Sequence, residues 1–451
     1  MSVDWPLRKL SDVCEFLNSK RIPLKSLDRI KRQGDFPYYG ASGIVDHIDD
    51  YIFDGTYLLI SEDGENLRTR NTPIAFKASG KFWVNNHAHI LAEKEDGILD
   101  YLEYYFSQLD LSPYITGAVQ PKLNKANLDS IEIPIPPIKT RLYINKVLNS
   151  FTNKVQLNRQ TNQTLEQIAQ ALFKSWFVDF EPTRAKIAAK QAGQDPERAA
   201  MAAISGKAVA ELEQLGEAQL AQLKTTAGLF PDALVESELG EVPEGWRHTD
   251  LKSITTKIGS GATPRGGKGA YKSEGISQIR SMNVFDGRFV FKDLAKIDNE
   301  QASKLKNVVV EESDVLINIT GASVTRCCIV PPCVIPARVN QHVCIVRANN
   351  TVVCPSYIYL TLTSSSGKAT LNSLAQAGAT REALTKSHIE NFEIILPNEP
   401  LMTVFRRKVE HLQDQQFRLT EEVTTLEAIR DALLPKLLSG ELSPDTLKLQ
   451  A

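Results

Sequence analysis

Val84–Leu91 reads VNNHAHIL, and Val339–Val346 reads VNQHVCIV. Both begin Val-Asn, carry histidine in fourth place and end in apolar residues. A match of this kind calls for a search for a long internal repeat before any element is assigned, because a missed repeat misreads the whole architecture. The match extends in both directions. Trp5 and Leu10 pair with Trp246 and Leu251 at a shift of 241, and Leu59, Ile60 and Gly64 pair with Leu316, Ile317 and Gly321 at 257. Gly117, Ala118, Leu123, Lys125, Ile133 and Pro136 pair with Gly378, Ala379, Leu384, Lys386, Ile394 and Pro397 at 261. The same shift carries Leu165, Glu166, Ile168 and Leu172 onto Leu426, Glu427, Ile429 and Leu433. Order is kept and only loop lengths drift, so each half is a head followed by a tail.

The expected division is a first head over 1–137, a central helix over 138–180, a connector over 181–245, a second head over 246–398, a C-terminal helix over 399–442 and a tail over 443–451. Apolar runs such as Tyr57–Ile60 and Asp314–Ile319, broken by Gly and Pro, read as strands, and Leu99–Leu109 reads as a helix. In the first tail, Leu148, Phe151, Val155, Asn158, Asn162, Leu165, Ala169, Leu172 and Trp176 fall at alternating spacings of three and four. The second tail gives Val409, Leu412, Gln416, Leu419, Val423, Leu426, Arg430, Leu433 and Leu437. Both are heptad seams, and polar members at such positions cost stability but fix register. From Leu148 to Trp176 the helix would run about 42 Å. The fold class expected is α+β: two mixed heads joined by two long helices packed as an antiparallel coiled coil, with an internal pseudo-two-fold repeat. Antiparallel pairing would set the heads at opposite ends of a rod. The Ala- and Gln-rich connector suggests one or two short helices ahead of a loop.

With 451 residues, 42% hydrophobic and 24% charged, the chain has ordinary globular composition and length for about three domains. It has no uninterrupted apolar run of membrane-spanning length, and its start lacks a secretory signal core, so it is expected in the cytoplasm without a membrane partner. The net charge of −2 does not advertise a nucleic-acid binder, although local basic surface matters more than the total. Trp246–Pro400 holds 18 Lys and Arg against 13 Asp and Glu, whereas Met1–Pro137 holds 15 against 20. Of six cysteines, Cys14 stands alone, while Cys327, Cys328, Cys333, Cys344 and Cys354 crowd the second head. With no CxxC pair they read as buried reduced thiols; a zinc site with His342 is the alternative, and no metal is assigned.

Catalytic parts are missing. The Asn-Pro-Pro-aromatic tetrapeptide of amino-methyltransferases is absent, as are HExxH and GxSxG, and Ala262–Gly269 (ATPRGGKG) departs from a phosphate loop at its first Gly and after its Lys. The remaining candidates are loops carrying donors. In the first head these are Lys20, Arg21, Lys25, Arg29, Lys31, Arg32, Asn66, Arg68 and Arg70. In the second they are Arg265 and Lys268 within the Gly-rich GSGATPRGGKG, then Arg280, Asn283 and Arg326. Arg, Lys, Asn and Gln are the side chains that read base edges and phosphates, although solvated loops carry the same types.

Three strings, TLEQIAQALFKSWFVDF (Thr164–Phe180), SELGEVPEGW (Ser237–Trp246) and LLPKLLSGEL (Leu433–Leu442), together with QPKLNKANLDSIEIPIPP (Gln120–Pro137) and DVLINITGASVTR, resemble specificity subunits of type I restriction-modification systems over essentially the whole chain. The resemblance implies a non-catalytic DNA-specificity subunit with two target-recognition domains, each reading half of a bipartite asymmetric sequence in double-stranded DNA, separated by helices acting as a ruler. Two methylation subunits and motor-nuclease subunits would be the partners, and S-adenosylmethionine, ATP and magnesium would belong to them. Three rivals stay open: an enzyme with unfamiliar motifs, a coiled-coil scaffold that never meets DNA, and the specificity subunit of an orphan methylation complex.

Overall fold

The two octapeptides occupy matching places in two similar frames. The computed structural model describes residues 5–237, 240–376 and 382–442, with only the backbone at Lys268; the 443–451 tail and the repeat members Gly378 and Ala379 lie outside them. The chain divides into two compact units, Met1–Leu157 with Val423–Ala451, and Asn158–Glu422.

In the first unit a six-stranded sheet runs in the order Cys14–Phe16, Ala88–Glu93, Phe53–Ser61, Ala75–Val84, Gln33–Gly40, Gly43–Ile48. Only Gln33–Gly40 against Ala75–Val84 is parallel. Successive strand residues face opposite sides, and the burial obeys this: Leu58, Ile60 and Leu91 enter one core, and Leu59 and Ile90 the other. Onto the first face packs helix Ile98–Gln108 through Ile98, Leu102 and Phe106. Leu7–Arg8 pairs with Ile133–Pro134, tying the chain's start to the end of the head. Ile144 and Leu148 from the central helix complete this core, together with Leu434, Leu437 and Leu438 from the C-terminal helix.

In the second unit the same frame recurs bond for bond. Leu59 faces Ile90 and Ile60 faces His89; Leu316 faces Ile345 and Ile317 faces Cys344. The amides of Glu62 and Ile319 bond the carbonyls of His87 and His342, and those of Leu123 and Leu384 bond the carbonyls of Glu62 and Ile319. Ser61 Oγ donates to the carbonyl of Ala41, and Asn318 Nδ2 to that of Ser281. The chief difference is one strand. Ala75–Val84 is continuous, but its counterpart breaks into Cys327–Ile329 and Ala337–Val339 around three prolines, none of which has an N–H to donate to a ladder. The second head therefore carries two four-stranded sheets.

The tails are the helices Ile138–Phe173, which ends in a π turn at Lys174–Val178, and Glu399–Leu438. Within the second unit they run antiparallel: Asn162 meets Gln416 and Thr420, and the tilted rings of Phe173 and Phe405 lie 6.2 Å apart. Every seam residue named from the sequence is buried or half-buried. The central helix ends in an aromatic cluster of Phe173, Trp176, Phe177, Trp246, Tyr357 and Phe405. Phe173, Trp176 and Phe177 are the repeat counterparts of Leu434, Leu437 and Leu438.

The connector exceeds its sequence expectation. It forms three helices, Glu181–Gln191, Pro196–Ser205 and Glu217–Gly228, and a hairpin of Leu234–Ser237 with Gly240–Pro243. Ala200, Met201, Leu212 and Ala227 give it a small core of its own, and Asp195 caps the second helix. Small alanines pack closely where a sequence reading sees only low hydrophobicity.

Candidate nucleic-acid interface

The surface loops of both heads hang from one repeated turn. Asn85 Oδ1 accepts from the amide of His87 at 2.8 Å, and Asn340 Oδ1 from that of His342 at 3.0 Å. An Asn side chain that bonds the amide two residues on stabilises such a turn locally. Each histidine then bonds the residue beside the next loop: His87 Nδ1 with Asp63, and His342 Nδ1 with Thr320 at 2.5 Å. Behind the first turn, the fully buried His89 donates through Nε2 to the Leu123 carbonyl and accepts at Nδ1 from Asn18. Burial lowers its pKa and keeps it neutral.

This frame claims several of the first head's cations. Arg21 pairs with Glu62 at 2.6 Å and donates to the Ala88 carbonyl. Burial opposes the charge on Glu62, but the Arg21 guanidinium holds its carboxyl below the usual range. Arg29 pairs with Asp46, and Arg32 pairs with Asp49 and lies over Trp83. Arg70 bonds the carbonyls of Ser107 and Leu109, and Arg68 those of Gly117 and Ala118. Asn66 closes a turn with Thr72. Lys20, Lys25 and Lys31 are exposed and make no ion pair among the described residues.

In the second head the strand Thr255–Ser260 runs into the Gly-rich loop. Gly261 packs so closely against the Val339 carbonyl that a Cβ there would collide with it. The loop is pinned at Thr263 by Gln341, while Arg265 stands exposed. Lys268 lies on a short 3-10 turn, Gly267–Ala270. Arg280 donates to the Asp293 carbonyl and packs over Tyr271. Asn283 needs correction as a base reader: it has no exposed surface, and its amide bonds Val290, Lys292 and Arg280 backbone groups. Its role is to brace the loop. Arg326 lies 4.6 Å from the Phe285 ring centroid, with Arg288 5.3 Å from the same ring. The Phe285–Arg288 pair carried no motif and escaped the sequence reading.

Sequence and fold both have counterparts among known proteins. A model of the "Type I restriction modification DNA specificity domain" matches residues 2–167. The chain is 28% identical to the type I restriction enzyme HindI specificity subunit of Haemophilus influenzae, across 95% of this chain and 91% of that one. It is 25% identical to the MjaIX specificity subunit of Methanocaldococcus jannaschii, across 98% and 95%. The fold resembles that of the type I restriction-modification S subunit from M. genitalium, with a TM-score of 0.57 at 13% identity over 96% of each chain. The chain is thus similar to type I restriction-modification specificity subunits along nearly its whole length, and residues 2–167 match their DNA specificity domain. The domain model covers the first head and most of the central helix, and the matched hydrogen bonds extend the same frame to the second head.

The second head's buried cysteines are divided between two cores. Cys327, Cys344 and Cys354 lie in one core of the second head, Cys328 in another, and Cys333 is exposed. Among the described residues, no group of three or more His, Cys, Asp or Glu is placed to hold a metal ion, and no helix is long and apolar enough to cross a membrane.

Proposed function

We propose that this chain is a type I specificity subunit that reads a bipartite, asymmetric DNA sequence, one half-site per head, and contributes no catalytic group of its own. The observation that carries the reading is the repeated frame. Two heads share the same turns, ladder registers and closing hydrogen bonds, yet present loops of different length and chemistry, as two readers of different half-sites would. The exposed lysines of the first head and Arg265 and Arg326 of the second supply phosphate and base-edge donors. The paired helices act as the spacer between half-sites. Methylation and motor-nuclease subunits assemble on this scaffold in the cytoplasm, and S-adenosylmethionine, ATP and magnesium act on those partners.

The test is to express this chain with its methylation subunits in a host lacking other adenine methylation and to sequence the modified bases. The expected result is one split, asymmetric motif. Unmodified DNA throughout, with an assembled complex, would favour a scaffold that never meets DNA. A motif methylated without accompanying restriction would indicate an orphan methylation complex.

A further inference from the structure

One loop of the first head has an anchored base and an unclaimed tip. Thr116 and Lys122 exchange both backbone hydrogen bonds at 2.8 Å, closing the five residues Gly117–Pro121 into a tight projection. Gly117 takes a φ of +87°, and a Cβ there would collide with the Gln120 carbonyl, so this turn requires glycine. Arg68 grips the carbonyls of Gly117 and Ala118, and the amide of Gly64 bonds that of Pro121. At the apex Val119 is 96% exposed, more than any other large hydrophobic residue described, and Gln120 is exposed beside it. Rigid anchoring of an apolar β-branched side chain in water stabilises nothing within the chain.

The internal repeat sharpens the point. At the shift of 261, Gly117 and Ala118 match Gly378 and Ala379, whereas Val119 and Gln120 match Thr380 and Arg381. The anchoring pair is kept in both halves, and the tip pair changes. Gln pairs with adenine and Arg with guanine along the major-groove edge, while apolar groups meet the thymine methyl. A head that shares its frame with its twin can differ in target only where its surface differs, and here the change is between base-reading types.

We infer that the Thr116–Lys122 loop is a base-reading finger of the first head, in which Gln120 contacts one base edge and Val119 packs on an adjacent thymine methyl. The inference rests on the DNA-reading function proposed above. Gln120→Arg, Gln120→Ala and Val119→Ala are each made in the full chain, co-expressed with the methylation subunits, and the methylated bases are sequenced. Thermal stability is measured alongside and should stay unchanged, because the tip is outside every core. Gln120→Ala should relax one position of one half-site by roughly tenfold, and Gln120→Arg should shift that position toward guanine, with the other half-site and the spacer kept. An unchanged motif for all three variants would overturn the inference. Equal weakening at every sequence would also overturn it, indicating a phosphate or a partner-subunit contact. If the unaltered complex methylates no defined motif, the DNA-reading function itself falls, which separates that failure from the loop's.

Discussion

At the scale of single residues, frame and reading surface are made of the same amino acids, and only geometry separates them. Glu95 accepts from Arg8 at 2.5 Å and from the fully buried Arg141 at 3.0 Å. The hydrogen bond from Arg8, then that from Arg141, outweigh burial and hold the Glu95 carboxyl below its usual range. A depressed carboxyl contributes stability above its unfolded value, near pH 4.5, and loses it as pH falls through the folded value. Glu95→Gln should therefore lower stability at pH 7 by about 1–2 kcal/mol, read as a lower melting temperature, since Arg141 keeps the Asp96 carbonyl, and the gap to wild type should close in acid. A constant gap down to about pH 3 would contradict the assignment. His342→Gln removes the bond to Thr320 and should cost about 1 kcal/mol with the methylated motif unaltered; a new motif at full stability would make His342 a reader instead. Such distinctions were only partly legible in the sequence. Arg21, Arg68 and Arg70 looked like free loop cations, but carbonyls that accept their hydrogens are up to 67 positions away, where no local pattern reaches. The loop tip at Val119 and Gln120 was invisible for the opposite reason, since neither residue type is unusual in a loop.

At the scale of elements, repeat arithmetic was the strongest signal available. Matching positions share backbone hydrogen bonds, so each shift of 241, 255, 257 or 261 reports a pairing as well as a likeness. The heptad spacing carried the two helices, because apolar side chains three and four apart form one stripe. It gave the antiparallel pairing but not which residues meet across the seam. Asn162 Nδ2 donates to the Gln416 carbonyl and Gln416 Nε2 to that of Asn162, each at 3.3 Å, while Gln416 also reaches Glu166. This reciprocal amide pair is a register lock of the sort polar seam residues provide. Asn162→Leu with Gln416→Leu should raise thermal stability, by about 1–2 kcal/mol, and loosen register, seen as broadened amide resonances or spread cysteine cross-links along the helices. Reduced stability with unchanged cross-links would show the pair to be stabilising rather than specifying. The broken strand around Pro331, Pro332 and Pro336 was less legible, since proline signals a break without saying that the strand resumes.

At the scale of the whole molecule, the proposed function assigns the paired helices the spacing between half-sites. Four residues inserted after Thr164 lengthen the helix by about 6 Å and rotate the segment beyond the insertion by about 40° relative to whole turns. DNA rises about 3.4 Å per base pair, so an active variant should methylate the same half-sites with one or two more base pairs between them. An active complex with an unchanged spacer would remove the helices from that role and point to the connector's three helices as the element that absorbs length. That connector fills its own small core, so the helices are the more direct target.

The closing of the first head by Leu434, Leu437 and Leu438 also bears on synthesis. A ribosome completes the sheet and helix of this head early, but the residues that seal its core arrive roughly 290 positions after Leu148, about 15–60 s later at ordinary elongation rates. Through that interval the nascent chain carries an open apolar face, inviting chaperones or premature association. Stalled chains lacking the last helix should show the first head sensitive to protease, and extending them past Leu438 should protect it.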